Sequence, residues 1–392
     1  MKMSRTRTQL PMRPPGEPPV NWVQARSESQ SRAGSSHPSC RKGGVARLLL
    51  ASVLYLMPED AALHELCGFE PSAERVVALD QRVRSRLADS LDKLSRAVSP
   101  HLPINLPALG ELSAVVRRQP VSSAVMALYT DSVEALFSED ETLTLSLLNE
   151  LSDKRWLAPA TPRIVTLRDE DLGPGQSDRF ARIINDDPID QIRISPVSVE
   201  AFTTAHQSVL AARALCAEAI PDLGAEIDTL AREIILVDPR SDSDLIFHGS
   251  SSFYLWGAVF LNAGVHHARI KAAEGLIHET GHSLLFGLNL GAPLVTNDAE
   301  ERYPSPLRSD LRPMDGIVHA TYVLARMFYG LVHLESSNCL ERSEREEAQK
   351  LMAFVRSGFV DGIAVVDAHA RFTPEGEASF VGARDYMKQS LN

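Results

Sequence analysis

Ile277-His278-Glu279-Thr280-Gly281-His282 brings two imidazoles and a carboxylate together within a segment of helical periodicity. Histidines four apart lie on one face of an α-helix, so both rings can reach a single metal ion while Glu279 stands beside them. At the His and Glu content of this chain, chance supplies such a His-Glu-x-x-His motif on the order of 0.02 times. Neutral imidazoles suit zinc, iron, copper or nickel, and two of them leave the site open until a third ligand is found. Glu301 follows His282 after 18 intervening residues, a spacing compatible with a Glu-type zinc-peptidase site. His319, on the next expected helix, is the other candidate, although an isolated helical histidine is commonly a packed one.

Two chemistries fit this set. Tetrahedral zinc with one open position lowers the pKa of bound water towards about 7 and leaves Glu279 as general base for amide hydrolysis. Six-coordinate Fe(II) with three protein ligands keeps three positions for a bidentate 2-oxo acid and dioxygen. Only the second needs a cation for the far carboxylate of the co-substrate, and the arginine fork matches a carboxylate in two places. A degenerate fold that merely binds peptide is a third reading, against which the complete motif argues.

The elements that must position these residues can be read in chain order. Residues 1–44 are rich in Pro, Ser, Arg and Gly, with eight Lys/Arg against Glu17 and Glu28, and read as disordered. Residues 46–57, 72–98, 111–118, 121–137 and 142–152 carry apolar residues at helical spacing, punctuated by prolines. His64 and His101 stand alone there and read as solvated or packed. Strands are expected at 163–167, 191–194, 233–237 and 253–261, and helices at 198–220 and 225–232. The strand at 253–261 directly precedes the motif helix, where an extended peptide could pair with it by edge addition.

The motif helix is expected over 266–287, with Ile270, Ala273, Ile277, Leu284 and Leu288 as its core stripe and Gly275 and Gly281 allowing close packing. A proline-bearing loop with Glu300, Glu301, Tyr303 and Arg308 follows, then a helix from Pro313 to about residue 334 that carries His319 and, two turns on, Arg326. Residues 341–357 read as a solvated helix, and 364–392 give little signal.

A net charge of -11 argues against a general nucleic-acid binder. Cys40, Cys67, Cys216 and Cys339 form no paired spacing, so a reducing cytoplasm is the simplest setting. The apolar run 45–57 is too short to span a membrane and lacks a signal-peptide cleavage pattern. A homo-oligomer is left open.

The run Ser305-Pro306-Leu307-Arg308-Ser309-Asp310-Leu311-Arg312-Pro313, then Gly316-Ile317-Val318-His319, joins the metal motif in a fixed order. In these three linked motifs the chain resembles the His-Glu-x-x-His peptide-modification proteins described as 2-oxoglutarate-dependent peptide β-hydroxylases. The resemblance covers about residues 245–335, roughly a quarter of the chain. It implies Fe(II), 2-oxoglutarate and dioxygen, and a ribosomally made precursor peptide as substrate. It places His319 with His278 and His282 as metal ligands, ahead of Glu301, and assigns Arg308 or Arg312 to the 2-oxoglutarate carboxylate. Asp310 would brace the two arginines, Asp315 would favour a helix N-terminus, and Glu279 would orient a ligand or the substrate. Leu307 departs from the aromatic many relatives carry, which bears on pocket shape. The expected architecture is α+β and mostly helical: a disordered segment (1–44), a helical N-terminal region (45–155) and an α+β catalytic region (156–392) with a small sheet packed on a zincin-like metal-site helix.

Overall fold

The computed structural model describes residues 66–152, 156–158, 161–185, 192–241, 247–308 and 310–391. The basic segment 1–44, the expected helix 46–57, Cys40 and His64 lie outside them. The chain is mostly helical, 66%, with one small mixed sheet of five strands.

Local capping sets the first helices. Ser72 caps α1 (Ala73–Val98), Asn105 caps α2 (Leu106–Arg118) and Asp140 caps α4 (Glu141–Leu151), which follows α3 (Ala124–Phe137). Each cap oxygen accepts an amide that the first helical turn leaves unpaired. α2 begins earlier than its apolar spacing indicates, because Pro107 lies in its first turn, where a missing N–H costs nothing.

β1 (Arg163–Thr166) leads through a short turn of helix, α5 (Asp169–Leu172), and α6 (Gln176–Ile184) to β2 (Ile192–Pro196). α7 (Val199–Ala219) and α8 (Pro221–Leu230) then precede β3 (Glu233–Ser241), β4 (Gly249–Ser251) and β5 (Ala258–Asn262). β3 is the centre: it pairs in parallel with β1 and β5 and antiparallel with β2, while β4 closes the sheet antiparallel to β5. The expected strand 253–261 needs correction. Phe253–Leu255 is a 3-10 turn whose Tyr254 N–H bonds to Ser252 Oγ, and the strand starts only at Ala258. It pairs on both sides, so it has no edge for an added peptide; on that side the sheet ends in β4, on the other in β1 and β2.

The motif helix, α9 (Arg269–Asn289), ends where Leu290 turns left-handed at φ 50° ahead of Gly291. α10 (Met314–Ser336), α11 (Arg342–His369) and α12 (Pro374–Leu391) complete the chain, so the low-signal C-terminus is helical. By length and composition α10 could cross a membrane, but 67% of its apolar window is buried inside the protein.

Alternation along the strands sorts the core into two layers. Ile234, Leu236, Val259 and Leu261 pack with α7 to α12, while Ile235, Val237, Ala258 and Phe260 pack with α1 to α4 and α6. The helices before residue 152 therefore share a core with the sheet. On the first side, Arg326 of α10 bonds Glu226 of α8 and the Phe69 carbonyl, and Glu226 also accepts the Ser72 N–H at 3.0 Å. Both charged side chains are 3% exposed, so neither has water in place of its partner. Glu226→Ala strands the arginine charge in the core and is expected to cost about 3–5 kcal/mol in urea-unfolding stability.

Candidate metal centre

The expected core stripe of α9, Ile270, Ala273, Ile277, Leu284 and Leu288, is buried throughout. Beside it, the Nε2 atoms of His278 and His282 stand 3.2 Å apart. A metal bonded at about 2.1 Å to two nitrogens, at right or tetrahedral angles, holds them roughly 3.0–3.4 Å apart. The pair thus has the chemistry and spacing of two ligands on one ion.

α10 supplies the other side of the seam. His278 Nδ1 lies 3.3 Å from Met327 Sδ, and the ring of His319 stacks on that of His282, centroids 5.8 Å apart and planes 18° from parallel. Phe286, one turn beyond His282, lies 5.2 Å from the His319 ring and forms an apolar wall. His319 Nε2 is 3.8 Å from Asp315 Oδ2, and Asp315 Oδ1 accepts the Leu294 N–H at 2.8 Å. Asp315 thus ties the loop after α9 to the helix that carries His319. Among the described residues, no three His, Cys, Asp or Glu side chains close into a full ligand set.

Glu279 is held from the sheet. Ser251 Oγ of β4 donates to its Oε2 at 3.0 Å, and its Oε1 lies 3.9 Å from His278 Nε2. Position 249 must be glycine for this contact: a Cβ there would stand 2.5 Å from Glu279 Oε1 and 2.8 Å from the Phe260 carbonyl oxygen. Ser251, Gly249, Phe286 and Met327 were not singled out from sequence. The Ser250-Ser251-Ser252 run is the one signal in the sequence that falls here.

Burial governs the charges. It pushes the His278 pKa down to about 4, aided by His248 and His266, and holds His282 well below the usual range, aided by His278 and His319. It lowers His319 as well, against the opposing pull of Asp315. All three imidazoles are therefore neutral near pH 7, the form that ligates metal. The same burial raises Glu279 to about 8, opposed by the Ser251 hydrogen bond and reinforced by Glu274.

Asp310 joins the two candidate arginines, with Oδ1 3.0 Å from Arg308 Nε and Oδ2 2.8 Å from Arg312 Nε. Burial would raise its pKa, but the Arg308 hydrogen bond and the charges of both arginines hold it below the ordinary carboxylate value. Tyr303 and Arg312 exchange backbone hydrogen bonds of 2.9 Å, closing this loop just before α10 begins. Glu301 belongs to another network: it accepts from Tyr303, from Asn297 at 3.2 Å and from Arg371 at 3.1 Å, and the Tyr303 bond leads in lowering its pKa. Its carboxylate is thus committed to the segment after α11.

No family model matches the chain, and no curated protein matches it.

His266 lies fully buried beneath the start of α9, its Nδ1 2.9 Å from the Asn262 carbonyl and its ring against Gly275, where a Cβ would fall 2.2 Å from Nε2. Burial lowers its pKa to about 4. The unfolded chain takes up this proton near pH 6.5 while the fold refuses it, so the contribution is complete above pH 6.5 and is lost as pH falls towards 4. Urea unfolding of the metal-free protein should lose roughly 3 kcal/mol across that window through His266, and His266→Gln should remove that share of the pH dependence while the shares of His278, His282 and His319 remain.

Proposed function

We propose that the protein is an Fe(II)- and 2-oxoglutarate-dependent hydroxylase that oxidises a side-chain β-carbon in a ribosomally made precursor peptide. The observation that carries this reading is the 3.2 Å separation of the His278 and His282 nitrogens, with the His319 ring stacked against His282. The linked Ser-Pro-x-Arg-x-Asp-x-Arg-Pro and Gly-x-x-His motifs support iron over zinc through the resemblance drawn from them.

On this reading His278, His282 and His319 would hold Fe(II), and α9, lying on the sheet beside β4, is a zincin-like helix put to oxidative use. Iron with its co-substrates supplies the conversion of a peptide C–H, 2-oxoglutarate and dioxygen into C–OH, succinate and carbon dioxide. The chain's own residues do the positioning. Arg308 or Arg312 grips the far carboxylate of 2-oxoglutarate, with Asp310 setting the angle of both forks. Glu279, fixed by Ser251, orients what lies beside His278. Phe286 keeps water from the His319 side. A cytoplasmic setting agrees with Cys67, Cys216 and Cys339 as free thiols.

A zinc peptidase is the second reading, favoured by the place of Glu279 Oε1, 3.9 Å from His278 Nε2, where a general base would stand. The test is anaerobic loading with Fe(II) and 2-oxoglutarate, followed by air and candidate precursor peptides. A gain of one oxygen with stoichiometric succinate is expected; peptide cleavage with zinc and no use of 2-oxoglutarate would sink the proposal. Metal content separates the ligand sets further. His319→Ala should weaken metal binding at least about tenfold while Glu301→Ala leaves it unchanged. Arg308→Lys or Arg312→Lys should raise the KM for 2-oxoglutarate about tenfold, because an ammonium cannot make the two-point contact.

A further inference from the structure

α9 and α10 approach closely on either side of His278. A Cβ at Gly281 would stand 3.4 Å from Val323 Cγ2, and one at Gly330 would stand 2.6 Å from Ile277 Cδ1. Arg326, held by Glu226 and the Phe69 carbonyl, fixes the turn of α10 between those two points. Met327 follows it, 3% exposed, with its Sδ 3.3 Å from His278 Nδ1. An unbranched thioether can ordinarily settle into many shapes within a core. Here the narrow seam leaves it against the edge of the His278 ring.

That contact is a hydrogen bond in only one form of the ring. A neutral imidazole carries a single N–H, on Nδ1 or on Nε2, and the partner of one nitrogen decides the state of the other. With the proton on Nδ1, His278 donates to the sulfur, a weak acceptor. With the proton on Nε2, two sets of lone pairs meet at Nδ1 and nothing is gained. His278 Nε2 also faces His282 Nε2 at 3.2 Å, so in the metal-free protein one of those two nitrogens supplies the proton between them.

We propose that Met327 is a positioning residue: its thioether keeps the His278 proton on Nδ1, so that Nε2 turns its lone pair towards His282 and towards a metal ion. His282 then carries the Nε2 proton until metal arrives, and only its tautomer has to change. Metal-bound histidines generally donate their second N–H to a carboxylate, a carbonyl or water, which makes the ring a stronger donor. Sulfur selects the same tautomer without placing a further charge in the seam, and it strengthens the ring less. The inference deepens the reading of His278 as a ligand and rests on it for the metal alone.

The ring proton can be read without metal or turnover. Full-length metal-free protein labelled with 15N in its histidines is examined near neutral pH by long-range proton–nitrogen spectra, and the His278 signals are identified by their loss in His278→Gln. They should show a protonated Nδ1 and an unprotonated Nε2. Met327→Leu, which nearly keeps the volume, should move the His278 proton towards Nε2 and weaken Fe(II) binding under nitrogen at least about threefold, measured against a chromophoric chelator. Met314→Leu, also buried in α10, should do neither. A His278 proton found on Nε2 in the parent protein, or a tautomer unmoved by Met327→Leu, would overturn the inference. The parent spectrum decides the matter even where Met327→Leu fails to fold. A tautomer that depends on Met327 in a protein that retains no Fe(II) would uphold the positioning and reject the metal centre. Fe(II) held equally by both proteins, with the His278 proton on Nε2 before loading, would do the reverse.

Discussion

Desolvation sets the terms for α9. The helix lies between a sheet and α10, where a charge loses most of its hydration, so the neutral or paired forms of its polar groups are favoured, even though His278 keeps 27% of its side-chain surface open. His278, His282 and His319 shed their protons, and Glu279, raised to about 8 with Ser251 donating to it, holds its own near neutral pH. The Nε2 atoms of His278 and His282 face one another across 3.2 Å. A divalent cation entering this seam meets donors that need no proton removed.

The rest of the fold keeps that seam narrow. α10 is held from behind by the Arg326 bonds to Glu226 and Phe69, seven residues beyond His319 on the same side of the helix. α9 is held from the sheet, whose two faces are covered by separate core clusters that share α1. The position of the imidazoles thus depends on the packing of α9 on α10 together with the elements that hold each of them from behind. The hydrogen bond from the Leu294 N–H to Asp315 and the backbone pair between Tyr303 and Arg312 then tie the intervening loop to the start of α10.

Most helices were legible because their apolar spacing and caps agree: α1, α3, α4, α7, α9 and α10 fall close to their expected limits. The errors have separate physical causes. Phe253-Tyr254-Leu255 has the composition of a strand, yet Ser252 caps it as a turn. β4 is three small residues with no apolar pattern, and its role depends on a helix that follows it in sequence. α12 was obscure because its apolar residues are dispersed, and only packing against α10 and α9 reveals which of them are internal. In the site, the motif located α9 and the face on which His278 and His282 meet. The relation of Glu301 to His319 was not legible, because it turns on Arg371 and Asn297 claiming the glutamate.

The Arg308–Asp310–Arg312 cluster has a consequence for the free energy of capturing any anion. Two long guanidinium side chains ordinarily lose considerable rotamer freedom when they close on a ligand. Here Asp310 accepts a hydrogen bond from Arg308 and lies 2.8 Å from Arg312 Nε, and the Tyr303–Arg312 backbone pair closes the loop that bears them. The trio still carries one net positive charge. On the hydroxylase reading, a carboxylate would meet two arginines that Asp310 already holds near one another.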